Sequence, residues 1–179
     1  MSTKGKAMDQ FFLSNPKKIR SLLDAADIQS HESLLELGAG RGSVAKYFPA
    51  CRLVSLLELD GHLAKNLRQV FPQAKVINAD VIKSLPSLSF DVLLSNLPYN
   101  LTDQVIAILK RKRFRCAVMA IKIDHDICAY QDVFSIDEIV VLDKQDFMPA
   151  QTYRSRLVRL EPRKGSAVYL INKLYTSRV

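Results

Sequence analysis

Asn96, Leu97, Pro98 and Tyr99 are the consecutive residues best suited to chemistry in this chain. An Asn side chain offers a carbonyl acceptor. Pro98 pushes Leu97 out of the helical region, which fixes where the Leu97 carbonyl points. Two carbonyl oxygens so placed can accept both hydrogens of one planar NH2 group. Tyr99 adds a flat face on which a base can stack. The stretch follows the apolar run 90–94, which reads as a buried strand. It suits the presentation of an amine to an electrophile. The plainer alternative is a proline turn with Tyr99 packed in the core.

A second signal lies upstream. The apolar run from Leu34 passes through Glu36 into Gly38-Ala39-Gly40-Arg41-Gly42, and a helix is expected over 43–48. Strand, glycine turn and helix form the first unit of a nucleotide-binding α/β sheet. A second apolar run, 53–57, ends at Glu58, which lies 20 residues beyond Gly38. An acid at that strand tip can accept both hydroxyls of a ribose. The Gly-X-Gly-X-Gly spacing differs from that of dinucleotide binders. It suits S-adenosylmethionine, which carries no pyrophosphate.

These residues need elements to position them. Asn15 or Ser14 can cap a helix that Pro16 opens, with Ile19, Leu22, Leu23 and Ala26 on one face. Strands are expected over 33–37, 52–57, 75–78, 90–94 and 114–121. Helices are expected over 61–70 and over 102–110, the latter with Thr102 as its cap. Later strands are expected over 138–142, 156–160 and 167–171. The alternation implies one α/β domain over residues 1–179, a doubly wound, mainly parallel sheet with an antiparallel edge. Such a sheet binds ligands at the carboxyl ends of its strands. Glu36, Glu58, Asp80 and Asn96 all fall there, although Asp80 can equally cap a turn.

The chain has 179 residues and a formal net charge of +8. A basic surface favours a polyanion such as RNA. The excess gathers in 110–115 and in Arg154, Arg156, Arg159, Arg163 and Lys164, expected to flank the base pocket. No apolar run is long enough to span a bilayer and the amino terminus lacks a signal-peptide pattern, so the cytoplasm is the expected compartment. Cys51, Cys116 and Cys128 are widely spaced and read as small buried hydrophobes, with neither a disulfide framework nor a metal site. Asp124-His125-Asp126 reads as an acidic, solvated helix start. His31 and His62 read as surface or capping residues.

Together, in order, these motifs resemble the ribosomal-RNA adenine N6-dimethyltransferase family, over about residues 10–162. The resemblance implies a Rossmann-like, S-adenosylmethionine-dependent methyltransferase fold. Gln10-Phe11-Phe12-Leu13 is similar to a motif that closes over the methyl donor, which places Gln10 and Phe12 there. Glu36, Gly38 and Gly40 look like the donor loop, Glu58 like the ribose acid, and Asp80 like the acid that meets the donor's adenine. Asn96 to Tyr99 resembles the catalytic loop, with Asn96 also beside the donor. Phe147-Met148-Pro149 through Ser155 resembles a late motif in which Phe147 and Tyr99 would sandwich the target base; Phe12 and Phe147 can equally be core residues.

The chain also departs from that pattern. Phe11 stands in place of Asn, and Ile121-Lys122-Ile123 keeps only the Lys of Gln-Lys-Glu. Gln151 and Tyr153 replace Pro and Val. The segment between the 114–121 strand and Phe147 is short. Only 17 residues follow Pro162, too few for the family's C-terminal helical domain. A partner subunit supplying the RNA grip is one expectation this raises. The resemblance thus implies transfer of methyl groups to an adenine of RNA, with ribosomal RNA as the expected target. Two alternatives stand beside it. One is a non-catalytic RNA-binding or ribosome-assembly factor that keeps the fold. The other is a methyltransferase of a protein glutamine or a DNA amine.

Overall fold

A computed structural model of the chain describes residues 10–170. The elements in order are β1 (Phe12–Leu13), α1 (Pro16–Ala26), β2 (Ser33–Leu37), β3 (Leu53–Glu58), α2 (Gly61–Val70), β4 (Lys75–Asn78) and α3 (Val81–Ser84). Then come β5 (Val92–Ser95), α4 (Thr102–Leu109), β6 (Cys116–Lys122), β7 (Phe134–Leu142), β8 (Phe147–Met148) and β9 (Ser155–Pro162). Seven strands make one sheet in the order β4-β3-β2-β5-β6-β9-β7. The first five are mutually parallel, while β9 runs against both of its neighbours. The expected mainly parallel sheet with an antiparallel margin is what forms.

Strand β2 is buried at all five positions, as a central parallel strand covered on both faces must be. Its side chains alternate between two cores. Leu34 joins Ile19, Leu22 and Ala26 of α1 on one face. Leu35 and Leu37 join Val105, Ile106 and Leu109 of α4 on the other. Helix α1 begins where Asn15 accepts the Lys17 N–H with its side chain, and Pro16 follows. The Asn15 amide also donates to the buried Asp146 carboxylate at 2.6 Å, which ties the helix start to the turn before β8.

Several expected elements differ. Instead of a helix over 43–48 there is a single 3-10 turn, Ala45–Tyr47. Phe48 is extended (ψ 135°) because Pro49 follows it, and this ends the turn. Thr102 is not a cap: the 3-10 turn Tyr99–Leu101 runs directly into α4, and Thr102 is its buried first residue. Residues 167–170 are helical, not a strand, and the Ser166 hydroxyl accepts the Tyr169 N–H at 3.3 Å at their start. Residue 171 lies outside the described residues. Asp126 caps a short 3-10 helix, Ile127–Tyr130, and His31 and His62 are exposed. Cys116 is buried as expected, whereas Cys51 is half-buried and Cys128 exposed.

Candidate active site

The order of strands reverses between β2 and β5, and the crevice at their carboxyl ends is where such sheets hold ligands. A cavity of about 490 Å³ opens there. Its wall includes Gln10 and Phe12 from the first segment, Gly38 and Gly40 after β2, Glu58 at the tip of β3, and Asp80 after β4. Asn96, Leu97, Pro98 and Tyr99 complete it after β5. Ten residues singled out in the sequence thus meet in one place.

The glycine turn is shaped for close approach. Gly38 and Gly40 hold φ of +69° and +56°, which side-chain-bearing residues seldom adopt. A Cβ on Gly38 would stand 2.7 Å from Leu97 Cδ2, and one on Gly40 would collide with the Phe12 ring. The loop after β5 and the ribbon of β1 therefore both pack directly on this turn. Arg41 is exposed and lays its guanidinium 5.3 Å from the Phe12 ring centroid. Glu58 braces the turn from below: Oε2 accepts the Gly40 N–H at 2.7 Å and Oε1 the Asp60 N–H at 2.8 Å. Asn78 Nδ2 donates to the Glu58 and Leu59 carbonyls, each at 2.9 Å, and fixes the strand tip.

The Asn96 carboxamide is oriented. Its Nδ2 donates to the Phe11 carbonyl at 3.1 Å, which leaves Oδ1 as an acceptor. Tyr99 is held by its hydroxyl, which donates to Gln151 Oε1 at 2.6 Å. Burial pushes the Tyr99 phenol up, against the opposing effect of its bonds with Ser155 and Gln151. Asp80 both lines the cavity and caps α3, accepting the Lys83 N–H at 3.1 Å.

Two expected site residues stand apart. Glu36 is off the cavity wall, side by side with Leu56 and Leu94 in the sheet. It is buried and its Oε2 has no hydrogen-bond partner. Burial, then the neighbouring Glu58, push its carboxyl up to about 8. Phe147 is only 4% exposed and packs in the core with Leu13 and Leu142. The reason is strand periodicity. In the β1–β8 ribbon Leu13 pairs with Phe147 and Phe12 with Met148, so one pair turns inward and the other outward. The cavity also takes in Leu59, Val81, Ile82, Gln151 and Tyr153, none of which the sequence singled out as binding residues. The signal for three of them was adjacency, since each follows closely on Glu58 or Asp80.

Of the two basic clusters, only the Arg154 end of the second lies near this cavity, next in sequence to the cavity-lining Tyr153. Residues 110–115 lie between α4 and the start of β6, at the amino ends of the parallel strands and so at the opposite end of the sheet. There Arg115 pairs with Glu32 and caps α1 by donating to the Ala26 and Asp27 carbonyls. Along β9 only the Arg154 and Arg156 end lies beside the end of β6, and both residues hold ion pairs, with Asp143 and Glu138.

Strand order and crevice define the class: a Rossmann-like fold of S-adenosylmethionine-dependent methyltransferases. The ribosomal RNA adenine dimethylase model matches residues 1–177, and the chain belongs to that family. It is 29% identical to an Arabidopsis thaliana ribosomal RNA small subunit methyltransferase, covering 89% of this chain and 52% of that one. It is 28% identical to a probable dimethyladenosine transferase of Drosophila melanogaster, covering 88% and 59%. A dimethyladenosine transferase structure from Plasmodium falciparum shares the fold with a TM-score of 0.78 at 23% identity, over 87% of this chain and 64% of that one. The chain thus spans just over half the length of these two sequence relatives. Among the described residues no helix is long and apolar enough to cross a membrane.

Proposed function

We propose that this chain, as one methyltransferase domain over residues 1–179, transfers methyl groups to the exocyclic amine of an adenine in RNA. Ribosomal RNA is the substrate we assign, in keeping with the family, and the cytoplasm is the setting we assign. The observation that carries the reading is the tethered Asn96 carboxamide, on a residue that lines one cavity with the glycine turn.

The residues present fit S-adenosylmethionine. Glu58 keeps lone pairs for ribose hydroxyls, Asp80 offers a carboxylate to an adenine amine, and Leu59, Val81 and Ile82 give apolar cover. When bound, the donor supplies an electrophilic methyl carbon on a sulfonium. The work of this chain is positioning. Asn96 Oδ1 and the Leu97 carbonyl accept the two hydrogens of N6, which draws its lone pair out of the ring and aims it. Hydrogen bonds of this kind strengthen as positive charge develops on nitrogen. The methylated nitrogen then loses one proton to solvent, so no dedicated base is needed. Tyr99, its hydroxyl held by Gln151, stacks on a base that has left its helix or comes from a single strand.

The test is transfer of labelled methyl from S-adenosylmethionine to RNA, alongside calorimetric binding of S-adenosylmethionine and S-adenosylhomocysteine. Asn96→Ala is expected to abolish transfer with donor binding nearly intact, and Glu58→Ala to weaken donor binding. Equal transfer by Asn96→Ala and the wild type would remove Asn96 from the mechanism. Label on protein or DNA instead of RNA would favour the glutamine or DNA-amine reading. Binding without transfer to any polymer would favour a factor that keeps only the fold.

A further inference from the structure

We infer that Tyr153 is the second aromatic wall of the base site, facing Tyr99 in the place that Phe147 cannot fill; this assignment rests on the adenine reading above. Phe147 has no free face: its ring is 4% exposed and its register partner Leu13 is wholly buried. Tyr153 is the opposite case. It lines the cavity and is 56% exposed, so its ring spends little of its area on the core.

The segment that carries it is fixed to the catalytic loop. Gln151, two residues earlier, is buried and accepts the Tyr99 hydroxyl at 2.6 Å. Its backbone N–H donates to the Lys144 carbonyl at 3.0 Å and its Nε2 reaches Ser155 Oγ at 3.5 Å. Gln151, Thr152 and Tyr153 all border the cavity. One face of the Tyr153 ring has Lys122 Nζ 5.1 Å from its centroid, and Asp124 steadies that ammonium at 3.0 Å. With 56% of Tyr153 exposed, ring area is left for a base to cover. A cation on one face and a base on the other is an arrangement both partners favour, because the ammonium also attracts the adjoining phosphate. The chain thus carries a tyrosine-lined base site whose second wall comes from the segment before β9 instead of from β8.

The experiment measures a short fluorescein-labelled oligoadenylate by anisotropy, with saturating S-adenosylhomocysteine, and S-adenosylhomocysteine binding separately by calorimetry. Tyr153→Ala is expected to weaken oligoadenylate about tenfold, within the range of one lost stack. Tyr153→Phe and Tyr153→Trp should stay within about twofold of the wild type, since the face and not the hydroxyl matters. S-adenosylhomocysteine affinity should be unchanged in all three. A Tyr153→Ala protein that binds oligoadenylate like the wild type would overturn the assignment. So would a Tyr153→Phe protein as weak as Tyr153→Ala, or a loss of S-adenosylhomocysteine binding in parallel. A wild type that binds S-adenosylhomocysteine but no oligoadenylate would instead overturn the adenine reading, and this assignment with it.

Discussion

Glu36 shows how a single residue carries a cost that only the fold explains. Its folded value near 8 stands above its ordinary 4.5, so the native state keeps a proton that the unfolded chain releases. Stability therefore falls as pH rises from about 4.5 to about 8. Glu36→Gln does not titrate and keeps the shape. It is expected to melt above the wild type at pH 8 and higher, with the gap closing towards pH 5 and amounting to a few kcal/mol at most. Parallel melting profiles across that range would show an ordinary carboxyl. The position of Glu36 at a strand end was legible in the sequence, but its depth was not. Depth depends on which neighbour strand lies beside it, and pairing of β2 with β5 is a long-range choice. Phe147 fails for the same reason. A motif names the residue, while its inward or outward turn follows from pairing with β1 across the whole chain.

Among elements, the boundaries of β2, α2 and β4 follow directly from local signals, because Asp60 caps α2 by accepting the His62 and Leu63 N–H groups and apolar runs bound the strands. The 43–48 segment misled because a good helical composition ran into Pro49. The 167–170 helix was missed although Ser166 offered a capping signal. Helix α1 owes its far end to Arg115, a residue that reads in sequence as one member of a charge run. Burial alone would push the Glu32 carboxyl up, but hydrogen bonds from Arg115 and Gln29 outweigh it and hold the group below its ordinary range. This stabilisation is present above the ordinary carboxylate value and is lost as pH falls through the folded one. Arg115→Ala is expected to cost about 2–4 kcal/mol in urea unfolding, towards the lower part of the range for a broken buried pair because Arg115 is 33% exposed. In a Glu32→Ala background the same substitution should cost clearly less. Equal costs in both backgrounds would show that the pair is not coupled.

At the scale of the molecule, the 110–115 charge cluster and the site lie at opposite ends of the sheet. The +8 net charge was legible, but its placement was not, since members of the 110–115 run such as Lys112 and Arg115 are drawn into backbone contacts far from the cavity. Arg111 and Arg113 are exposed at that far end. A double variant, Arg111→Glu with Arg113→Glu, is expected to leave oligoadenylate affinity within about twofold, whereas Lys122→Glu with Arg154→Glu should weaken it at least about tenfold and flatten its salt dependence. The reverse ranking would place the polyanion on the opposite end of the sheet.

The insertion of β9 between β6 and β7 also sets the order of assembly. Among the described residues β7 has no sheet neighbour but β9, and β6 gains its second neighbour only from β9. Both strands are complete before β9 begins at Ser155, so during synthesis each has an unsatisfied edge until β9 slides between them. The half of the sheet made by β6, β9 and β7 is therefore the slow, exposed step of folding, while β2 to β5, whose loops supply most of the cavity wall, can close first around their own helices.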